Sequence, residues 1–336
     1  MGTPSNCRMA TPSPQKCSAW LDPPTSSCWG QRCASTRALP SIFRWRMRCR
    51  IRDRRSTPRI CTRTASTLIR MWTMSVCTSS PGETHVYHYE IPYDHHGSFS
   101  WYHAHVHELT TIQAGGGAAG AIVIEDAVDG SELPLAFHQN IEEMILYVQH
   151  FNPMTLDQAK NRINDAQFST TLTADLYTVN GYVSPIASLQ RSRWTRIRLG
   201  YASPTEAASF TIGGTIGASC EMQLLAKDGV YLQTVRSVSS LELGESSRCD
   251  VLLRCSTAGD AELRLDGSAI ATLRVVGEQE AHAFDSFDFQ PCLPSYLADL
   301  RNTQQTVQPR FTVRVGRDDI NDASWTNMDR SSAIRI

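Results

Sequence analysis

The stretch SFSWYHAHVHELTTIQAGGGAAGAIVIED runs from Ser98 to Asp126 and decides how the rest of the chain is interpreted. Three histidines, His103, His105 and His107, occupy alternate positions after two aromatic residues. On a β-strand, side chains two residues apart point to the same face. The spacing therefore predicts a row of imidazoles on one face, and imidazole is a ligand for copper, zinc, iron and nickel.

The other histidines lack this spacing, and none of them is predicted to be a ligand. Alternate histidines also occur as packing or surface residues, so the spacing alone leaves a purely structural role open for the triplet. We expect the adjacent pair His95-His96 to form a turn. The remaining histidines are His85, His88, His138, His150 and His282.

Composition divides the chain near residue 82. Residues 1–82 contain no Glu, His or Tyr, and Asp22 and Asp53 are their only acidic residues. The run RWRMRCRIRDRR, residues 44–55, has no face that a helix or a strand could bury. Three interpretations compete: a transit peptide, a basic disordered arm, and a segment translated in the wrong reading frame.

The whole-chain composition excludes some classes of partner. The formal net charge is −1, so the chain as a whole is not predicted to bind nucleic acid. No apolar run approaches the roughly 20 residues of a membrane span. The cysteines form neither a CxxC zinc motif nor a recognisable disulfide framework, so we expect buried thiols at Cys220, Cys249, Cys255 and Cys292.

After residue 80 the pattern is typical of an all-β protein. Short alternating or apolar runs are separated by turn residues, a spacing that favours Greek-key sandwiches or barrels. One helix is expected near residues 155–166. The predicted strands lie within residues 84–92, 119–126, 142–151, 192–202, 220–232, 247–255 and 261–277.

The histidine segment resembles the second copper-ligand segment of the multicopper oxidases, the laccase-like enzymes. The resembling residues are Gly97, Phe99, Trp101, Tyr102, His103, His105, Gln113, Gly117, Gly120 and Asp126. Residues 176–203, 224–232 and 241–253 are similar to the family's second cupredoxin domain, and 294–300 to the linker before its third. The resemblance covers about residues 81–325 and implies tandem cupredoxin-like Greek-key sandwiches.

The resemblance implies a function for the three histidines. His103 and His105 would each bind one copper ion of the type 3 pair, and His107 would orient a ligand or a water molecule. The family oxidises a small reducing substrate and reduces dioxygen to water. Many members are exported, but residues 1–80 contain no readable signal peptide.

Several ligands of the family are missing from this sequence. No cysteine lies beside a histidine, so the type 1 copper ligands are absent, and the type 3 site would be half complete. We therefore expect a truncated, inactive fragment. Alternatives are a non-enzymatic structural module, and a metal-binding module that takes one copper or zinc ion through the three histidines.

The first His-x-His-Gly of the family should lie about 40 residues before His103. Residues 57–80, TPRICTRTASTLIRMWTMSVCTSS, can encode Thr-Asn-Leu-His-Thr-His-Gly and then Val-Asp when the codons are read one base out of frame. We therefore interpret residues 1–80 as an out-of-frame or disordered segment. The expected domains are 81–150, a partial first cupredoxin domain; 151–280, a second; and 281–336, a linker and the start of a third.

Overall fold

The computed structural model describes residues 96–104, 110–127, 132–163 and 172–278, together with short strand segments at 34–35, 62–64, 319–320 and 323–324. Three helices are present: α1 (Thr110–Gly115), α2 (Leu135–Asn140) and α3 (Pro153–Ile163). The first nine strands are β1 (Ala34–Ser35), β2 (Thr62–Thr64), β3 (Ser98–Ala104), β4 (Ala119–Ile124), β5 (Glu142–Phe151), β6 (Leu176–Val179), β7 (Ile186–Gln190), β8 (Thr195–Ala202) and β9 (Ala208–Gly214). The others are β10 (Cys220–Lys227), β11 (Val230–Val238), β12 (Ser240–Leu243), β13 (Arg248–Cys255), β14 (Gly259–Leu265), β15 (Ser268–Val276), β16 (Asp319–Ile320) and β17 (Ala323–Ser324).

These strands form three sheets in the unit Met1–Pro294 and a small hairpin in the unit Ser295–Ile336. The six-stranded sheet has the order β11-β10-β13-β8-β5-β6, and the five-stranded sheet has the order β12-β9-β14-β15-β7. A four-stranded sheet has the order β1-β4-β3-β2, and β16 pairs with β17. The prediction of an all-β fold is confirmed.

The main hydrophobic core lies between the six-stranded and five-stranded sheets. Apolar side chains from both sheets meet there, and alternate positions along each strand contribute to it. In β8, for example, Ile197, Leu199 and Tyr201 enter this core. The intervening Arg196 and Arg198 are also buried, so they lie on the opposite face of the six-stranded sheet.

That opposite face is covered by α2 and by the hairpin-like pair β3 and β4. Phe137 of α2 packs with Trp194 and Leu252 in a second apolar cluster. Phe99 and Trp101 of β3 pack with Tyr147 of β5 in a third. The histidine segment is therefore fixed to the six-stranded sheet through buried aromatic residues.

The strand predictions agree closely with the structure where its residues are described. The run 142–151 is β5, and the runs near 119, 195, 220, 248 and 261 contain β4, β8, β10, β13 and β14. The predicted helix at 155–166 is α3, which begins two residues earlier. The short helices α1 and α2 were not predicted. The predicted strand at 84–92 lies outside the described residues.

One prediction about individual residues is wrong. Cys220 and Cys255 are not thiols but form a disulfide, because the register of β10 and β13 places them opposite each other. His96, which was predicted to form a turn with His95, has a buried side chain whose Nε2 lies 2.6 Å from the carbonyl oxygen of Gly229, and His95 lies outside the described residues. Cys249 is a buried thiol as expected, whereas Cys292 lies outside the described residues.

The described part of the chain contains no helix that is both long and apolar enough to cross a membrane. The domain boundaries near residues 80, 150 and 280 remain predictions.

Candidate metal centre

Strand β3 carries the aromatic residues and the first histidine of the segment. Antiparallel pairing with β4 places Tyr102 opposite Gly120 and His103 opposite Ala119. A Cβ atom on Gly120 would lie 2.6 Å from Cζ of Tyr102, which is closer than two carbon atoms can approach. Because Gly120 has no side chain, the Tyr102 ring can lie over it. The ring therefore covers this face of the β3–β4 pair.

The His103 side chain lies at the end of β3, on the face shared with Phe99 and Trp101. Its ring stacks on the indole of Trp101, with the ring centroids 4.1 Å apart and the planes inclined by 14°. Its Nδ1 lies 3.0 Å from the carbonyl oxygen of Ala104. A carbonyl oxygen only accepts, so Nδ1–H donates this bond and the ring lone pair is on Nε2. A neutral imidazole in this tautomer is the form that binds a metal ion.

The structure describes only one of the three predicted metal-site residues. His105 and His107 lie outside the described residues, so the expectation that they share a face with His103 is untested. The half-buried His103 has the tautomer and the donor chemistry that copper accepts. If copper is bound, His103 and His105 would hold it, and copper would supply one-electron redox chemistry there.

The glycine run after the histidines packs closely against β5. Helix α1 ends at Gly115, and Gly117 has a φ of +98°, a value that side chains disfavour. A Cβ atom on Gly117 would lie 3.2 Å from the Phe151 ring, and the Gly117 carbonyl accepts a bond from Nε2 of Gln149 at 3.3 Å. Helix α1 was missed from the sequence because six residues are too few for a clear helical period.

At the other end of the segment, Asp126 takes part in a buried cluster of charges. Its side chain is only 6% exposed and accepts hydrogen bonds from Arg196, Arg198 and the hydroxyl of Tyr231. Asp250 pairs with Arg196, and Oε2 of Glu143 lies 2.8 Å from Nε of Arg198. The cluster joins the end of β4 to β8, β11 and β13.

The electrostatics of the cluster favour the charged form of Asp126. Burial alone would raise the pKa of this carboxyl group, but the charges of Arg196 and Arg198 and the bonds from Tyr231 and Arg196 outweigh burial and hold the pKa well below its usual value. The pKa of Arg196 is raised in spite of burial, chiefly by Asp126. These partners were not foreseen, although the alternation of Arg196 and Arg198 with apolar residues was visible in the sequence.

Comparisons with known proteins find relatives of this part of the chain. A family model described as "Multicopper oxidase" matches residues 71–129, which include the whole histidine segment. Among curated proteins, cell division protein FtsP of Escherichia coli (strain K12) is 25% identical over 187 residues, which are 56% of this chain and 38% of FtsP. FtsP of Sodalis glossinidius (strain morsitans) is 28% identical over 173 residues, which are 49% of this chain and 35% of that protein.

The solved structures point to the same fold. A multi-copper oxidase from Pediococcus acidilactici superposes with a TM-score of 0.50 and 15% sequence identity, and the match covers 68% of this chain and 46% of that one. At this identity the match supports the fold alone. The chain spans little more than a third of the length of the curated relatives that it matches. The resemblance inferred from the histidine segment is confirmed, and the chain is a relative of the multicopper oxidases over part of its length.

Proposed function

We propose that the histidine segment of this chain binds copper through His103 and His105, as half of a type 3 site. The observation that carries the proposal is the geometry of His103, whose Nδ1 bond to Ala104 places the lone pair on Nε2 at the end of a buried strand. The multicopper oxidase match over residues 71–129 supports copper as the metal. His107 would orient a ligand or a water molecule.

A complete enzyme of this kind would take four electrons from a small reducing substrate and use them, with four protons, to reduce dioxygen to two molecules of water. This sequence contains no cysteine beside a histidine and so supplies no type 1 site to accept electrons from the substrate. We therefore expect the chain to bind copper without oxidising a substrate. Turnover of a phenolic dye by the purified chain would contradict this expectation.

Copper binding is tested by equilibrium dialysis of the wild type and of the variants His103→Ala and His105→Ala. Each substitution should weaken copper binding by about tenfold or more, since it removes one of two ligands. The control is His138→Ala, which removes an imidazole from α2 instead. Equal binding by the wild type and by His103→Ala would contradict the proposal, provided that circular dichroism shows both to be folded.

We also propose that residues 1–80 are translated in a shifted frame. Strand β2 pairs with β3, and its Arg63 lies opposite His103. The shifted frame can encode Leu-His-Thr-His-Gly at residues 60–65, which would place the family's first pair of histidines beside its second.

Sequencing of genomic DNA and transcript across codons 50–85 tests the frame. A single-base difference or a different splice junction that restores Leu-His-Thr-His-Gly would support the proposal. Mass spectrometric detection of peptides from residues 30–75 as printed would contradict it.

A second candidate function is a non-enzymatic binding module. The observation in its favour is that the curated relatives are named cell division proteins rather than oxidases. Such a module would fold and bind its partner without copper. A folded chain whose copper binding is unaffected by His103→Ala would favour this candidate over the copper site.

A further inference from the structure

A second group of metal-binding side chains lies at one end of the six-stranded sheet. His150 is near the end of β5, Asp175 directly precedes β6, and Glu206 lies in the loop between β8 and β9. One nitrogen of His150 and one carboxylate oxygen of each acid all lie within 4.8 Å of one another. No sequence pattern indicates this group, because its members are 25 or more residues apart.

The imidazole of His150 has one nitrogen without a hydrogen bond. The side chain is fully buried, and among the described residues Nε2 has no hydrogen-bond partner. Burying a polar atom without a partner costs about 1–3 kcal/mol, so such an atom calls for an explanation. Nε2 lies 3.4 Å from Oδ1 of Asp175 and therefore faces that carboxylate, whereas Oε1 of Glu206 lies 3.9 Å from Nδ1.

The other nitrogen and the ring plane are fixed by neighbours. Nδ1 lies 3.0 Å from Oγ of Ser203, and the ring stacks on Tyr177 with the centroids 4.5 Å apart and the planes inclined by 17°. The contact to Ser203 occupies Nδ1, which leaves Nε2 as the nitrogen that could bind an ion. A histidine that binds a metal through Nε2 carries its proton on Nδ1, so metal binding here requires Nδ1–H to donate to Oγ of Ser203.

Further hydrogen bonds hold the Asp175 carboxylate and the backbone of the loop that carries Glu206. Asn152 donates to Oδ1 of Asp175 at 2.8 Å, and its own carbonyl oxygen accepts from the N–H of Thr155 at the start of α3. Oγ of Ser203 accepts from the N–H groups of Thr205 and Glu206, each at 3.3 Å. The same serine thus links the histidine to the loop that carries Glu206.

The geometry and charge of the group suit a divalent cation. Two ligand atoms of a tetrahedral zinc ion lie about 3.4 Å apart, the separation seen between Nε2 and Oδ1 of Asp175. The Glu206 side chain is 54% exposed, so it can rotate closer.

We propose that His150, Asp175 and Glu206 form a site for a divalent transition metal ion of the zinc class, with Nε2 of His150 as the buried ligand. One imidazole and two carboxylates are a ligand set that zinc accepts, and water would complete its coordination. The exposed carboxylates give the ion a path from solvent. The site is separate from the histidine segment and does not depend on the proposed copper function.

Equilibrium dialysis of the metal-free full chain against Zn²⁺ tests the site. The wild type should bind one Zn²⁺ that Asp175→Asn and Glu206→Gln each bind about tenfold or more weakly, because each loses a charged ligand. The matched controls are Asp260→Asn and Glu221→Gln, since their side chains are 47% and 51% exposed against 43% and 54% for Asp175 and Glu206. Both controls should bind like the wild type.

The outcomes separate this site from the copper site. Zinc binding that Asp175→Asn and Glu206→Gln leave unchanged would overturn the proposal, as would a wild type that binds no Zn²⁺. His103→Ala should leave this Zn²⁺ in place, so failure of the copper proposal does not affect the result. Because both substituted carboxylates are exposed, the variants should stay folded.

Discussion

At the scale of single residues, two glycines in the histidine segment are required by their neighbours. A Cβ atom on Gly97 would lie 2.7 Å from Cα of Asp126, and one on Gly120 would lie 2.6 Å from the Tyr102 ring. The family resemblance identified both glycines but did not explain why these two positions need glycine. In the structure, Gly97 lets the backbone of Asp126 approach closely, and Gly120 leaves room for the Tyr102 ring.

The variant Gly97→Ala should therefore destabilise the protein. The added methyl group must displace the backbone of Asp126, and overpacking of this kind costs about 1–3 kcal/mol or more. Gly244→Ala is the control, because its Cβ atom would make an ordinary contact 3.5 Å from Oγ of Ser247. Urea unfolding measures both, and equal free energies of unfolding for the two variants would contradict the argument.

At the scale of elements, hydrophobic periodicity was sufficient for most strands but not for the short helices. The run 142–151 predicted β5 without error. Its successive side chains point to opposite faces of the sheet, so Leu146 enters the main core and Tyr147 enters the third apolar cluster. Helices α1 and α2 have six residues each, less than two turns, and therefore show no clear period. Tertiary packing of Phe137 and its neighbours decides α2 instead.

The disulfide shows a second limit of the sequence. Cys220 and Cys255 are 35 residues apart, and nothing in that spacing indicates a bond between them. The register of β10 and β13 brings them together, and register depends on the pairing of whole strands. Cys249 lies six residues before Cys255 on the same strand, yet it is opposite Lys227 and stays a buried thiol.

Removal of this disulfide should lower the stability of the six-stranded sheet. We expect the double variant Cys220→Ala, Cys255→Ala to lose about 2–4 kcal/mol of unfolding free energy, mainly because its unfolded chain is less constrained. A reductant should destabilise the wild type and Cys249→Ala, but should affect the double variant much less. Non-reducing peptide mapping checks the bond itself. An equal effect of the reductant on all three proteins would contradict the assignment.

At the scale of the whole molecule, buried charges connect the histidine segment to the large sandwich. The alternation in β8 predicted that Ile197 and Leu199 enter a core, but it did not predict that Arg196 and Arg198 are buried as well. Their partners Asp126 and Asp250 come from distant parts of the chain. Long-range charge pairing of this kind has no local pattern, so a single sequence could not reveal it.

The variant Asp126→Asn tests how much this cluster stabilises the fold. Removing one partner of a buried ion pair leaves uncompensated charge and typically costs about 3–5 kcal/mol. Here the substitution leaves Arg196 and Arg198 with one carboxylate fewer. The exposed pair of Asp260 and Arg274 provides the control, and Asp260→Asn should change stability far less than Asp126→Asn does.

The loss in Asp126→Asn should depend on pH in one direction. Because the pKa of Asp126 is lower in the folded protein than the value of about 3.9 expected for an unfolded chain, its charge stabilises the fold above about pH 4. That stabilisation is lost as the pH falls below about 4 toward the folded pKa, where the wild-type carboxyl becomes neutral like the amide. Urea unfolding of the wild type and Asp126→Asn between pH 7 and pH 2 should therefore give a difference that is constant near neutrality and narrows in acid. A difference that stayed constant down to pH 2 would mean that Asp126 acts through its packing and hydrogen bonds, and that its charge does not hold β4 to the six-stranded sheet.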